Sequence, residues 1–189
     1  MGDVVSEEDM RRLIESIDAP DQLSRRDRAI IELAYGCGAR LEEMTRLNVD
    51  AVDLSRGLVH LTGKGRSDRI IPLTRCAVSE LRRYLQCVRP GLVGKGNPER
   101  ALFIGLRGTG RLCSASLCRI VQTRAEAVNL IVHPHTIRRS IATHLVERGA
   151  PIAYVKAFLG HATYRHLGHY VRLREALDVD ALREGSARK

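Results

Sequence analysis

Leu58-Val59-His60-Leu61-Thr62-Gly63-Lys64-Gly65-Arg66-Ser67-Asp68-Arg69-Ile70-Ile71-Pro72-Leu73 breaks the pattern of the rest of the chain. Its two aliphatic, β-type runs, 58–62 and 69–73, flank a polar turn with glycines on both sides of Lys64, which predicts a β-hairpin. Asp50 to Asp53 predicts a third, short strand. The flanking sequence reads as helix on both sides. The predicted fold class is mainly α with one small antiparallel β-sheet (α+β).

Upstream, Ser6 with Asp9 and Ser24 with Asp27 have capping-box spacing, each predicting a helix start. The first helix runs to about Ile17, with Met10, Leu13, Ile14 and Ile17 on one face. The second carries Ile30, Ile31, Leu33 and Ala34 and stops at Gly36 or Gly38. A short helix from Arg40 to Leu47 presents Leu41, Met44 and Leu47. Downstream come a helix from Thr74 to Arg89, a Pro/Gly-rich loop from Pro90 to Pro98, and a helix capped by Ser114 that reaches Asn129. Further helices are predicted at 135–148, 151–159, 163–171 and 174–183.

A chain of 189 residues with 44% hydrophobic residues fits one folded domain. Five Tyr, two Phe and no Trp predict an aliphatic core. Lys and Arg outnumber Asp and Glu by 31 to 22, giving net +9 and a pI near 9.8, so a polyanion is the expected partner: nucleic acid or an acidic membrane surface. No apolar run approaches the roughly 18 residues of a membrane span, and Met1-Gly2-Asp3 does not open a signal peptide. The five cysteines (Cys37, Cys76, Cys87, Cys113, Cys118) are odd in number and contain no C-x-x-C pair, which predicts reduced thiols in a cytosol.

The chemistry-bearing groups fall in the order Arg40, Lys64, His135 with Arg138, His161 and Tyr170. That inventory suits attack on a phosphodiester by a phenolic oxygen without a metal. Guanidinium forks neutralise the anion bidentately. Tyrosine needs a neighbouring base to act as a nucleophile at neutral pH. The leaving sugar oxygen needs a proton, which a desolvated lysine can donate. His135 and Arg138, three apart on a helix, share a face, whereas Arg139 is turned about 100° away.

Each segment also has a plainer reading. Arg40 and Glu43 have the spacing of an exposed helical ion pair, worth a few tenths of a kcal/mol (~0.3). A functional Glu43 would fix either the Arg40 side chain or the tautomer of His135. Lys64 at a hairpin tip is ordinarily solvated, and Gly63-Lys64-Gly65 lacks the following Ser/Thr and helix of a phosphate-binding loop. His161, His166 and His169 have no acidic residue among them and match no standard zinc spacing, so neither a metal site nor a cofactor is expected.

In combination, Gly38-Ala39-Arg40-Leu41-Glu42-Glu43, the hairpin lysine, Pro134-His135-Thr136-Ile137-Arg138, Leu159-Gly160-His161 and Tyr170 resemble the tyrosine recombinases, the phage integrase family. The likeness runs from Ser24 to Val171. It implies the DNA breaking-rejoining catalytic-domain fold, with Arg40 and Arg138 as phosphate clamps, Lys64 as general acid, His135 as general base, His161 as a phosphate donor and Tyr170 as nucleophile. Tyr170, nine residues after His161, stands at the nucleophile's position, and Tyr154 and Tyr164 do not. Gly160 and His144 match structural landmarks. Arg139 stands where many relatives carry a second His, and Tyr164-Arg165-His166 replaces small polar residues before the nucleophile.

The resemblance implies a site-specific recombinase or integrase that works through a 3′-phosphotyrosyl intermediate, independent of metal and ATP. The alternatives are a truncated or decayed integrase acting only as a DNA-binding module, and type IB topoisomerase-like strand relaxation. The implied partner is double-stranded DNA, with a free monomer assembling into a homotetramer on it, no membrane, and a cytoplasmic location in a bacterial nucleoid or phage-infected host. Residues 1–173 would form the catalytic domain and 174–189 a C-terminal helix and tail docking in trans. Relatives usually carry a helical DNA-clamping domain first, and the 23 residues before Ser24 are too few for one, so the chain reads as an excised catalytic fragment or a minimal recombinase.

Overall fold

The computed structural model describes residues 4–18, 21–63, 68–93, 99–105 and 110–160. Helix α1 (Glu7–Glu15) opens as expected, with the Ser6 side chain accepting from the Asp9 N–H at 3.0 Å, and it buries Met10, Leu13 and Ile14. Helix α2 (Gln22–Cys37) starts earlier than its predicted Ser24 cap. Asp21 is the cap instead, accepting from the N–H groups of Leu23 and Ser24 at 2.9 Å each. Ser24 and Asp27 are buried helix residues with other work. Arg124 donates to Asp27 Oδ2 at 2.9 and 2.7 Å and to Ser24 Oγ at 3.1 Å. Arg26 donates to Asp27 Oδ1 at 3.1 and 2.9 Å and to the Ile104 carbonyl at 3.2 Å. A single partner removed from such a buried network costs on the order of 3–5 kcal/mol.

The chain leaves α2 through Gly38 (φ +55°) into α3 (Leu41–Arg46). A 3₁₀ turn at Val49–Ala51 then leads into β1 (Val52–Asp53), β2 (Leu58–Leu61) and β3 (Arg69–Pro72), an antiparallel sheet in the order β1-β2-β3. The predicted hairpin is therefore present, with Val59 opposite Ile71 and Leu61 opposite Arg69. Val59, Leu61 and Ile71 are buried while His60 and Ile70 face outward, the alternation of a half-buried strand pair.

Thr74 caps α4 (Arg75–Arg83), accepting from the Ala77 N–H at 3.0 Å. The expected loop at Pro90 is overturned: the helix continues through a π-helical turn, Tyr84–Val88, into α5 (Arg89–Val93). Proline in an α-helix clashes with the carbonyl four residues back. Here the turn is widened just ahead of Pro90, and Arg89 N–H reaches back to the Tyr84 carbonyl. The buried Tyr84 hydroxyl donates to the Leu102 carbonyl (3.1 Å) and accepts from the Ile104 N–H (3.2 Å).

Helix α6 (Ser114–Glu126) has Cys113, not Ser114, at its cap position, and it ends before Asn129. Asn129, at φ +57°, turns the chain so that Leu130 N–H bonds the Ala125 carbonyl at 2.9 Å. Helices α7 (Pro134–Glu147) and α8 (Ile152–Phe158) lie where the sequence places them. The predicted helices 163–171 and 174–183 fall outside the described residues.

Helix α2 is the central element, packed against α1, α4, α6 and α7. The core around it is mostly aliphatic, with Leu13, Ile14, Ile30, Ile31, Leu33, Leu61, Ile71 and Leu81 among its fully buried side chains.

The segment before α1 is strapped to α7. Val5 N–H donates to Ser140 Oγ at 2.8 Å, and His144 Nε2 lies 3.0 Å from the Val5 carbonyl. A carbonyl only accepts, so Nε2 carries the proton and Nδ1 accepts from the Tyr35 hydroxyl at 2.8 Å. Arg148 closes the strap with a two-point ion pair to Glu7.

Burial holds His144 below its ordinary pKa of 6.5, against the opposing pull of Glu7. The unfolded chain therefore binds this proton first on acidification. Stability contributed by neutral His144 is complete above pH 6.5 and is lost as pH falls through the depressed folded value. The urea midpoint is expected to drop between pH 7.5 and 5. His144→Gln should be about 1–3 kcal/mol less stable at pH 7.5, with a flatter dependence over that interval. An unchanged slope in the variant would remove His144 as the cause.

Candidate active site

Arg40 occupies the residue just before α3, with extended backbone. Glu43, one turn in, reaches back to accept from the Arg40 N–H at 2.6 Å and from Arg40 Nη1 at 3.0 Å. The predicted spacing is thus realised, but not as an ordinary surface pair. Glu43 has only 4% of its side chain exposed, whereas Arg40 has 41%. The carboxylate is gripped from the other side by Arg69 of β3, whose Nη1 and Nη2 donate to Oε1 and Oε2 at 2.7 and 2.8 Å. Burial works to raise the Glu43 pKa, but the hydrogen bonds from Arg69 and Arg40 prevail and hold it below the usual carboxylate range. Of the two roles expected for Glu43, these contacts match the fixing of Arg40.

Arg138 projects from α7 into the same region and is buried. Its Nη1 donates to the Gly38 carbonyl at 2.5 Å and its Nη2 to the Leu159 carbonyl at 2.6 Å. One guanidinium thereby satisfies carbonyls at the C-terminal ends of two helices, α2 and α8, where the backbone carries partial negative charge. Desolvation, then the positive charges of Arg40 and Arg69, push Arg138 down to about 10, with Glu43 acting the other way. The region is a cluster of three guanidiniums around one carboxylate, an arrangement that an arriving anion would relieve.

His135 is exposed on the first turn of α7, one turn before the buried Arg138. Pro134 opens that helix, a position where its missing N–H costs nothing. His133 precedes it, its Nδ1 2.8 Å from Gln122 Nε2. Arg139 is exposed, as its helical phase requires. Lys64, His161 and Tyr170 lie outside the described residues. Cys37, beneath the cluster, is pushed up to about 12 by burial and is therefore a protonated, inert thiol. Among the described residues no group of His, Cys, Asp and Glu is placed to hold a metal ion.

Arg69 is the site residue that sequence reading passes over. Its position at the start of a predicted strand carries no sign of burial. The one available signal is alternation: Arg69 shares its strand face with the buried Ile71 and lies opposite the buried Leu61. A charge on an inward-facing position needs a partner.

Gly38 is where the cluster meets the core. Its φ of +55° is left-handed, and an added Cβ would stand 2.9 Å from Phe158 Cε1 and 3.3 Å from Ile141 Cγ2 and Leu159 Cδ2. Gly38→Ala is expected to lower stability by about 2 kcal/mol through strain and overpacking, read as a reduced urea midpoint. An unchanged midpoint would show that the contact is not close.

Comparison with known proteins agrees with this geometry. The Phage integrase family matches residues 3–176. Tyrosine recombinase XerD of Pseudomonas aeruginosa is 35% identical over 173 residues, covering 91% of this chain and 58% of that protein. XerD of Mycobacterium tuberculosis is 40% identical over 164 residues, covering 86% and 51%. The chain thus spans a little over half the length of these curated relatives. Among solved structures, XerA recombinase superposes with a TM-score of 0.73 at 23% identity, covering all of this chain and 67% of that one, a likeness of fold. XerH site-specific recombinase bound to its difH substrate gives 0.71 at 25% identity, covering 93% and 52%. The DNA breaking-rejoining fold and the Arg40, Glu43 and His135–Arg138 segments are thus found in one chain, and that chain belongs to the phage integrase family as a tyrosine recombinase catalytic domain.

Proposed function

We propose that this protein is a site-specific DNA recombinase that cleaves and rejoins strands through a covalent 3′-phosphotyrosyl intermediate at Tyr170. The observation that carries the reading is the half-buried cluster of Arg40 and Arg138, with Arg40 anchored by a buried Glu43 and Arg138 pushed down by burial and by its cationic neighbours. Such a cluster is preorganised for the charge that builds on the non-bridging oxygens of a phosphodiester. The net charge of +9 supports DNA as the partner.

In this reading the Tyr170 hydroxyl attacks phosphorus and the bond to the 5′-oxygen breaks. His135 takes the phenolic proton, Lys64 protonates the departing 5′-oxygen, and His161 donates a hydrogen bond to the phosphate. Because the phosphodiester energy is kept in the phosphotyrosyl bond, rejoining to a new 5′-hydroxyl requires neither nucleotide nor metal. The named relatives are recombinases, which favours strand exchange over a topoisomerase's swivelling or a DNA-binding module without chemistry. Residues 1–173 form the catalytic unit. Residues 174–183 reach a neighbouring copy in a tetramer that assembles on DNA from free monomers. A bacterial cytoplasm, where the DNA lies, is the place of action. No described helix is long and apolar enough to cross a membrane.

A nicked duplex that traps the covalent complex tests the reading. Tyr170→Phe is expected to abolish the detergent-resistant adduct while leaving duplex affinity within about two-fold, since only the nucleophilic oxygen is lost. If Tyr164→Phe abolished the adduct and Tyr170→Phe did not, the nucleophile would be Tyr164. Lys64→Ala is expected to slow cleavage of an ordinary strand about 100-fold or more, and of a 5′-bridging phosphorothiolate strand far less, because a thiolate leaves without a proton. Equal losses on the two strands would make Lys64 a phosphate contact only.

A further inference from the structure

Arg69 uses its donors on two different parts of the site. Its Nη1 and Nη2 form the two-point pair with Glu43, and its Nε donates to the Phe158 carbonyl at 3.0 Å. The side chain is 7% exposed. Gly160 lies flat against the guanidinium: a Cβ there would be 2.9 Å from Arg69 Nη1 and 3.2 Å from its Cζ. Arg69 therefore spans from β3 to Glu43, the partner of Arg40, on one side. On the other it spans to the turn that ends at Gly160, the residue before His161.

Glu43 bonds both Arg40 and Arg69. With Arg69 present, the carboxylate is neutralised from the buried side, and the half-exposed Arg40 keeps its positive charge for an incoming anion. Without Arg69, the full negative charge of Glu43 would fall on Arg40, drawing the fork inward and cancelling its field. In a water-poor site that interaction is strong.

We propose that Arg69 is a positioning residue for strand cleavage. It neutralises and orients Glu43 so that Arg40 stays available to the scissile phosphate, and it pins the Phe158–Gly160 turn, which precedes His161 in the sequence. This inference rests on the recombinase reading above and adds to it a buried residue. An arginine is required because a lysine ammonium cannot hold both carboxylate oxygens and a carbonyl in one plane.

The test is second-site rescue. Wild type, Arg69→Met and the double variant Arg69→Met/Glu43→Gln are compared for rate of covalent adduct on the nicked duplex, affinity for intact duplex, and thermal midpoint. Gln at 43 keeps an oxygen for the Arg40 N–H but removes the charge, and the double variant buries no unpaired ion. Arg69→Met is expected to slow adduct formation about ten-fold or more with affinity within about two-fold, because the clamp is weakened chiefly toward the transition state. The double variant is expected to recover most of that loss. A merely structural Arg69, whose loss leaves Glu43 buried and unpaired, would make adduct rate and duplex affinity fall together in Arg69→Met and recover together in the double variant. That result, or a wild-type rate for Arg69→Met, would overturn the proposal. If Arg69→Met does not fold, Arg69→Lys takes its place, keeping one positive charge against Glu43: an adduct rate lowered about ten-fold with affinity within about two-fold supports the role, and a wild-type adduct rate overturns it. Failure of the underlying reading has a different signature, a wild type with no Tyr170-dependent adduct.

Discussion

Glu43 and Arg69 form an ion pair in which both side chains are less than a tenth exposed, and a pair in that setting persists only when its remaining donors and acceptors are also satisfied. The carboxylate meets that condition through the Arg40 backbone and side chain, and the guanidinium through the Phe158 carbonyl. Much of the site follows from that requirement. β3 must present Arg69 inward, α3 must begin just after Arg40, and α8 must end where its carbonyl can be reached. Three elements distant in sequence are locked at one point because each supplies a group that the others cannot do without.

The second constraint is electrostatic and works against stability. Arg40, Arg69 and Arg138 crowd one carboxylate, and Arg138 is pushed down to about 10, first by loss of water and then by its cationic neighbours. Helix C-termini offset part of this, since Arg138 donates to Gly38 at the end of α2 and to Leu159 at the end of α8. The rest is positive potential that the one carboxylate leaves unneutralised. Near the N-terminal end of the same helix α2, the balance is reached differently. There Asp27 is shared by Arg26 and Arg124, and the pairing serves packing, joining α2 to α6 and to the Ile104 segment. One central helix thus carries a structural ionic network toward one end and a cationic cluster at the other.

Much of this was legible in the residues. The hairpin around Lys64, the positions of α1, α3, α4, α7 and α8, the aliphatic core and the three-residue spacings of Arg40 with Glu43 and of His135 with Arg138 all follow from local rules. Helical phase, strand alternation, caps and glycine turns act between residues only a few positions apart. Where local rules gave another answer, contacts made by the folded chain decided. Asp21 and Ser24 are both competent caps three residues apart, and Ser24 lost the position because Arg124, a hundred residues later, holds it inside. Pro90 ends a regular α-helix by local reasoning, yet the π-turn at Tyr84–Val88 lets the helix pass through it.

By itself, then, the sequence determined the α+β class, the order of the described elements and the three-residue spacings of Arg40 with Glu43 and of His135 with Arg138, because each of these rests on short-range spacing and residue type. Only the tertiary structure decided that Glu43 is buried and not an exposed partner of Arg40, that Arg69 belongs to the site, and that Arg138 ties two helix ends together. Those contacts join positions 26, 89 and 100 residues apart. Spacing along the chain says nothing about such pairs. They are selected by desolvation, which penalises every buried charge until folding brings its partner within hydrogen-bond reach.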